Sequence, residues 1–121
     1  MNNINVQEKV EKYQKDNKNP VTTTQLRLLL SNAVIIKNKI QVETRTKKGD
    51  EISEKLENEI KYLLVKHIYQ CGKETKVKTF DNGFEISKKI KEIGKSAKKF
   101  NEFYRYLEEI VAYMKYYGFD K

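Results

Sequence analysis

The closing stretch FNEFYRYLEEIVAYMKYYGF, Phe100 to Phe119, holds eight of the chain's thirteen aromatic residues. Within it Phe100, Phe103, Tyr104, Leu107, Ile110, Val111 and Met114 recur at helical spacing, which defines one core-facing seam. Tyr106, Tyr113 and Tyr117 fall on a second, adjoining stripe. An apolar band this wide exceeds what one neighbouring helix covers. Either the helix sits centrally in a bundle, or its second stripe meets another protein chain.

The same period governs the rest of the chain. Asn3 to Asp16 has Ile4, Val6, Val10 and Tyr13 near one side, and NKNP then breaks the helix. Thr22 and Gln25 fit a capping box, with Val21 and Leu26 placed as a hydrophobic staple. From there Leu26, Leu29, Leu30, Ala33, Ile36 and Ile40 carry a helix to about Thr46, ended by TKKGD with Gly49. Asp50 or Ser53 opens a third helix through Ile52, Leu56, Ile60, Leu63, Leu64 and His67, which stops at Gly72. KETKVKT is expected as a charged loop, with a strand-like extension at Val77 as the alternative. Asp81 then caps a fourth helix with Phe84, Ile90, Ile93 and Ala97, which Gly94 kinks or interrupts. The fifth spans about Lys99 to Tyr117 and closes at Gly118.

Five glycines and one proline are too few for an all-β chain with frequent turns. Charged residues make up 35%, which disordered chains share, but disordered chains rarely show such regular apolar spacing. The expected fold is all-α, a single-domain helical bundle of about five helices. Residues 1–20 are a loosely packed N-terminal helix and loop, and 21–121 form the bundle domain.

Catalytic signals are thin. His67 and Cys71 are spaced i,i+4 and offer two metal ligands on one face, but no other His or Cys completes a set. A packed histidine on the apolar face is the expectation, with no metal and no cofactor. Glu108 and Glu109 point about 100° apart, so they cannot share a proton. No glycine-rich phosphate loop or nucleophile–base pattern is present, and the chain reads as no enzyme. A single cysteine excludes an internal disulfide and suggests a reducing compartment. With no signal peptide and no membrane-length apolar run, the expected location is cytoplasmic.

Charge placement says more. The formal charge of +8 attracts polyanions, nucleic acid above all, although a solvated lysine surface gives the same total. Residues 21–50 carry six bases against two acids, and residues 72–99 carry nine against four. Lys88, Lys91, Lys95 and Lys98 would lie on one ridge if their helix ran through Gly94. Arg27, Lys37, Arg45 and Lys48 are the corresponding bases of the second helix and the turn after it. Lysine ridges follow phosphates without reading bases. With only three arginines, base-specific recognition is disfavoured.

The opening VTTTQLR and the closing FYRYLEEIVAYMKYYG together resemble the small helical subunit of type III-A CRISPR–Cas effector complexes, the Csm-type interference assemblies. The resemblance covers about Val21 to Gly118. It implies a non-catalytic subunit present in several copies, stacked beside the backbone subunits that hold the CRISPR guide RNA. It also implies contact with target RNA through basic side chains, which the charge pattern places at the eight bases just named. Tyr106, Tyr113 and Tyr117 are then candidates for the subunit interface. The implied partners are the other subunits, guide and target RNA, and further copies of this chain. A free-standing helical nucleic-acid-binding regulator and a structural adaptor remain the alternatives.

Overall fold

The computed structural model describes residues 5–119. Asn3 and Ile4, expected in the first helix, lie outside them. The described residues form six helices: α1 (Val6–Asp16), α2 (Arg27–Thr46), α3 (Glu54–Lys73), α4 (Thr75–Phe84), α5 (Ile86–Lys91) and α6 (Ala97–Tyr116). An all-α single-domain bundle is therefore what the sequence builds, with one helix more than its periodicity suggests.

The start of α2 follows from local chemistry. The Gln25 amide donates to Thr22 Oγ1 at 3.1 Å, and the Thr22 amide donates to Gln25 Oε1 at 3.0 Å. Val21 and Leu26 are both buried, so the staple closes over this box. A short turn over residues 23–26 lies between the box and the first residue of α2. At the other end of the chain Phe119 N–H donates to Met114 O and Gly118 N–H to Lys115 O, the paired bonds of a Schellman cap. Gly118 has φ +85°, and the buried Phe119 folds back over Met114. The Thr23 amide donates to Phe119 O, tying the two ends of the bundle together.

The segment KETKVKT is helical, contrary to its reading as a loop. Glu74 alone leaves helical geometry, at φ −126° and ψ 112°, and α4 begins at the next residue. Val77, Phe80 and Phe84 step by three and four and are buried, so tertiary packing supplies the stability that two lysines and a short length withhold. Asp81 lies inside α4 instead of at a helix start. It still caps, because its Oδ1 accepts from the Ser87 amide at 2.7 Å in the first turn of α5. Between the two helices Glu85 adopts φ +58°, an uncommon left-handed position for a side-chain-bearing residue.

Gly94, at φ +60°, interrupts the chain again, and α6 starts at Ala97 under a Ser96 cap. Ser53 caps α3, as one of the two expected openings. Asp50 serves another helix: its Oδ1 accepts from the Lys98 amide at 2.7 Å, at the start of α6. A single antiparallel bridge, Glu51 to Ser96, pins the α2–α3 turn to the α5–α6 turn.

All seven residues of the expected α6 seam are buried. The second stripe is met within the chain, by α1. Tyr117 Oη accepts from Gln7 Nε2 at 3.0 Å and donates to Glu11. Tyr106 Oη donates to Phe84 O at 3.0 Å and lies 3.3 Å from Lys9 Nζ. From α1, Val10 is fully buried, and Tyr13 packs among Phe80, Phe84 and Phe119 while accepting from the Val21 amide.

Candidate functional site

The basic residues do not all survive as a surface. Lys88, Lys91, Lys95 and Lys98 are exposed but do not lie on one helix, because α5 ends at Lys91 and Gly94 turns the chain before α6. Two of the four ammoniums also have acidic company. Lys88 Nζ lies 3.9 Å from Glu85, and Lys95 Nζ lies 3.7 Å from Glu51 and 3.9 Å from Glu57. Lys98 donates its amide to Asp50, whose hydrogen bonds from Ser96 and Lys98 hold its carboxyl below the usual range.

The other set behaves differently. Arg27 and Arg45 sit on the outer face of α2, separated by eighteen residues and so by about 27 Å along the axis. Lys37 leans towards α6, its Nζ 5.3 Å from the centre of the Tyr104 ring. Lys48 is exposed in the turn that follows. Glu43 is the one carboxylate within α2, and it is engaged: its Oε1 accepts from the Ser53 amide at 3.0 Å. Among the described residues no carboxylate lies within ion-pair distance of Arg27, Lys37, Arg45 or Lys48. Their charge is therefore uncompensated at close range, along a row nearly as long as the helix.

A second surface went unread in the sequence. Leu28, Ile35 and Val42 are spaced by seven, almost two helical turns, so they stack in a line on α2. All three are exposed, Val42 at 60%. On α3, Tyr62, Val65 and Tyr69 form a matching exposed line, with Tyr69 at 64%. Ile35, Lys39, Tyr62 and Lys66 line one cleft between the two helices. Lys39 pairs with Glu59 across it at 3.0 Å, and the Lys66 ammonium lies 4.8 Å from the Tyr62 ring centre. The signal was present as a heptad offset from the buried one, but exposed apolar residues carry no label of their own. By contrast, Tyr106, Tyr113 and Tyr117 are half-buried and packed on the core, and Tyr116 is the exposed tyrosine of α6.

His67 is buried at 3% exposure and is not alone. Its Nε2 lies 2.9 Å from Asp81 Oδ1 and 3.6 Å from Cys71 Sγ. Burial opposes ionisation of Asp81, but its hydrogen bonds with His67 and Ser87 outweigh this and leave its carboxyl below the usual range. Burial, reinforced by the Asp81 carboxylate, pushes the Cys71 thiol up to about 11. At neutral pH this cysteine is a protonated, unreactive thiol. Sequence spacing paired His67 with Cys71, and the α3–α4 fold-back added Asp81, which spacing alone does not reveal.

No helix among the described residues is long and apolar enough to cross a membrane. The sequence matches the family model described as Csm2 Type III-A over residues 2–120. It is 36% identical over 107 residues to the CRISPR system Cms protein Csm2 of Streptococcus thermophilus, covering 87% of this chain and 81% of that protein. To the protein of the same description from Mycobacterium tuberculosis it is 34% identical over 96 residues, covering 79% of this chain and 74% of that one. The Enterococcus italicus counterpart is 33% identical over 101 residues, covering 82% and 69%.

Proposed function

Because this chain belongs to the Csm2 Type III-A family, the small subunit of type III-A CRISPR–Cas complexes, we propose that it holds RNA in its complex without catalysing any reaction. The observation that carries this reading is the uncompensated row on α2. Arg27, Lys37, Arg45 and Lys48 offer positive charge over about 27 Å with no acid among the described residues paired to it. Such a row neutralises phosphates and reads no bases. The bases at Lys88 and Lys95 contribute less, because carboxylates already stand beside them.

Copies of the chain stack through the apolar lines of α2 and α3, so that α2 presents one flank to protein and another to RNA. Each site is weak alone. Several in register raise the effective concentration at the next, and the assembly binds where one subunit does not. The non-catalytic part of the reading is supported by the state of the candidate chemistry: His67 is buried against Asp81, and Cys71 stays protonated.

The test uses the assembled complex with alanine at Lys37, Arg45 and Lys48. Three lost phosphate contacts are expected to reduce the slope of log affinity against log salt by about 2 per copy that touches target RNA. Target affinity should fall by roughly tenfold or more at low salt. Alanine at Lys88 and Lys95 should change neither by much. An unchanged slope and affinity in the first variant would refute the assignment of this face.

A further inference from the structure

We propose that His67, Cys71 and Asp81 form a binding site for one thiophilic divalent cation of the zinc class, which fastens α3 to α4. The three ligand atoms lie within 4.8 Å of one another, and they represent the three donor types that zinc prefers. Two come from one face of α3, at i and i+4, and the third from α4 after the sharp reversal at Glu74. The cation would therefore close a joint that the backbone leaves to a single extended residue.

The distances are close to what a four-coordinate ion needs. Zinc–ligand bonds of about 2.0 Å to nitrogen or oxygen and 2.3 Å to sulfur give tetrahedral edges of roughly 3.5 Å between N and S and 3.3 Å between N and O. The structure has 3.6 Å from His67 Nε2 to Cys71 Sγ, already at that edge. The 2.9 Å from Nε2 to Asp81 Oδ1 must open by about 0.4 Å, and sulfur and carboxylate must close by at most about 1.3 Å. Rotation of an aspartate and a cysteine side chain covers both. On binding, His67 takes its proton on Nδ1 so that Nε2 offers its lone pair to the ion in place of the hydrogen bond to Asp81, and the Cys71 proton leaves to solvent as the thiolate forms. Solvent fills the fourth position.

Ser87 holds the carboxylate from behind, with its amide at 2.7 Å from Oδ1 and its hydroxyl at 2.9 Å from Oδ2. Metal-ligating carboxylates are commonly steadied by such bonds.

The experiment titrates chelator-stripped, full-length protein with cobalt(II) as a coloured substitute and then displaces it with zinc. The expected result is one equivalent bound, with a thiolate-to-cobalt charge-transfer band, intense four-coordinate visible bands, and loss of both on adding zinc. Cys71→Ser should remove the charge-transfer band, and Asp81→Asn should weaken cobalt binding by at least about tenfold, both with helical circular dichroism retained. A wild-type protein that shows no thiolate band at saturating cobalt overturns the proposal, whatever the variants do. So does a band that survives in Cys71→Ser. RNA binding by the complex is a separate readout, so failure here leaves the role of α2 untouched.

Discussion

Replacing Phe84 with alanine is expected to cost about 3–5 kcal/mol of folding stability, the usual range for removing a fully buried phenyl ring. Phe84 is 1% exposed and ends α4. Its ring centre is 4.9 Å from that of Phe80 and 5.5 Å from that of Tyr13, an edge-on contact. Lys9 Nζ lies 5.6 Å from the same ring, and Tyr106 donates to the Phe84 carbonyl. The ring thus joins α1 to α4, while the carbonyl of the same residue ties in α6, and loss of the ring leaves a cavity between α1 and α4. A domain of this size has roughly 5–15 kcal/mol in total, so the variant should be close to unfolding. In urea, with a slope of about 2 kcal/mol per molar, the midpoint should fall by roughly 2 M at unchanged slope. A shift below about 0.5 M would mean that α1 is not packed on this box.

The double substitution Ile35→Glu with Tyr62→Glu is expected to leave the fold intact and abolish entry into the complex. Both residues are open to solvent, at 49% and 59% exposure, so the isolated protein should lose no more than about 0.5 kcal/mol per site. In an interface the same carboxylates lose their water and face apolar surface. Stranding a buried charge costs about 3–5 kcal/mol, or at least roughly a hundredfold in association at each contact. Size-exclusion and pull-down from the reconstituted complex separate the outcomes. A variant that folds and still assembles in full would remove the α2–α3 cleft from the account. Placing a glutamate at Tyr106 tests something different, because that ring is packed inside its own chain and its loss acts through folding.

How much of this was legible in advance depended on whether one helix face or several chain segments decided the matter. The α6 seam was legible because seven residues share one period and one burial fate. The Thr22–Gln25 box was legible because its chemistry is complete within four residues. The second tyrosine stripe was correctly seen as needing a partner, but periodicity cannot say whether that partner is α1 or another molecule. The break at Glu85 was hidden, since the residue that turns left-handed is neither glycine nor asparagine, although Gly83 stands two positions earlier. The end of α5 at Lys91 and the turn at Gly94 dissolved the expected ridge from Lys88 to Lys98. Helix α4 was missed because its three buried apolar residues are separated by charged and small ones, and its stability comes from Tyr13, far away in sequence.

For the candidate site the division is similar. Arg27, Lys37, Arg45 and Lys48 could be named from charge counts, but that no described carboxylate comes within ion-pair distance of them is a property of the fold. The heptad of Leu28, Ile35 and Val42 was visible as spacing and mute as to meaning, because the buried heptad beside it looks the same in one dimension. Asp81 joined His67 and Cys71 only when α4 folded back on α3.

The most direct measurement is photo-cross-linking of a thiouridine-substituted target RNA in the assembled complex, with adducts on this subunit mapped by mass spectrometry. The account predicts adducts concentrated between residues 27 and 48, on the flank of α2 that carries Arg27, Lys37 and Arg45 and in the turn at Lys48. Adducts confined to the segments around Lys88 to Lys98, or an RNA that touches no part of this subunit, would contradict it.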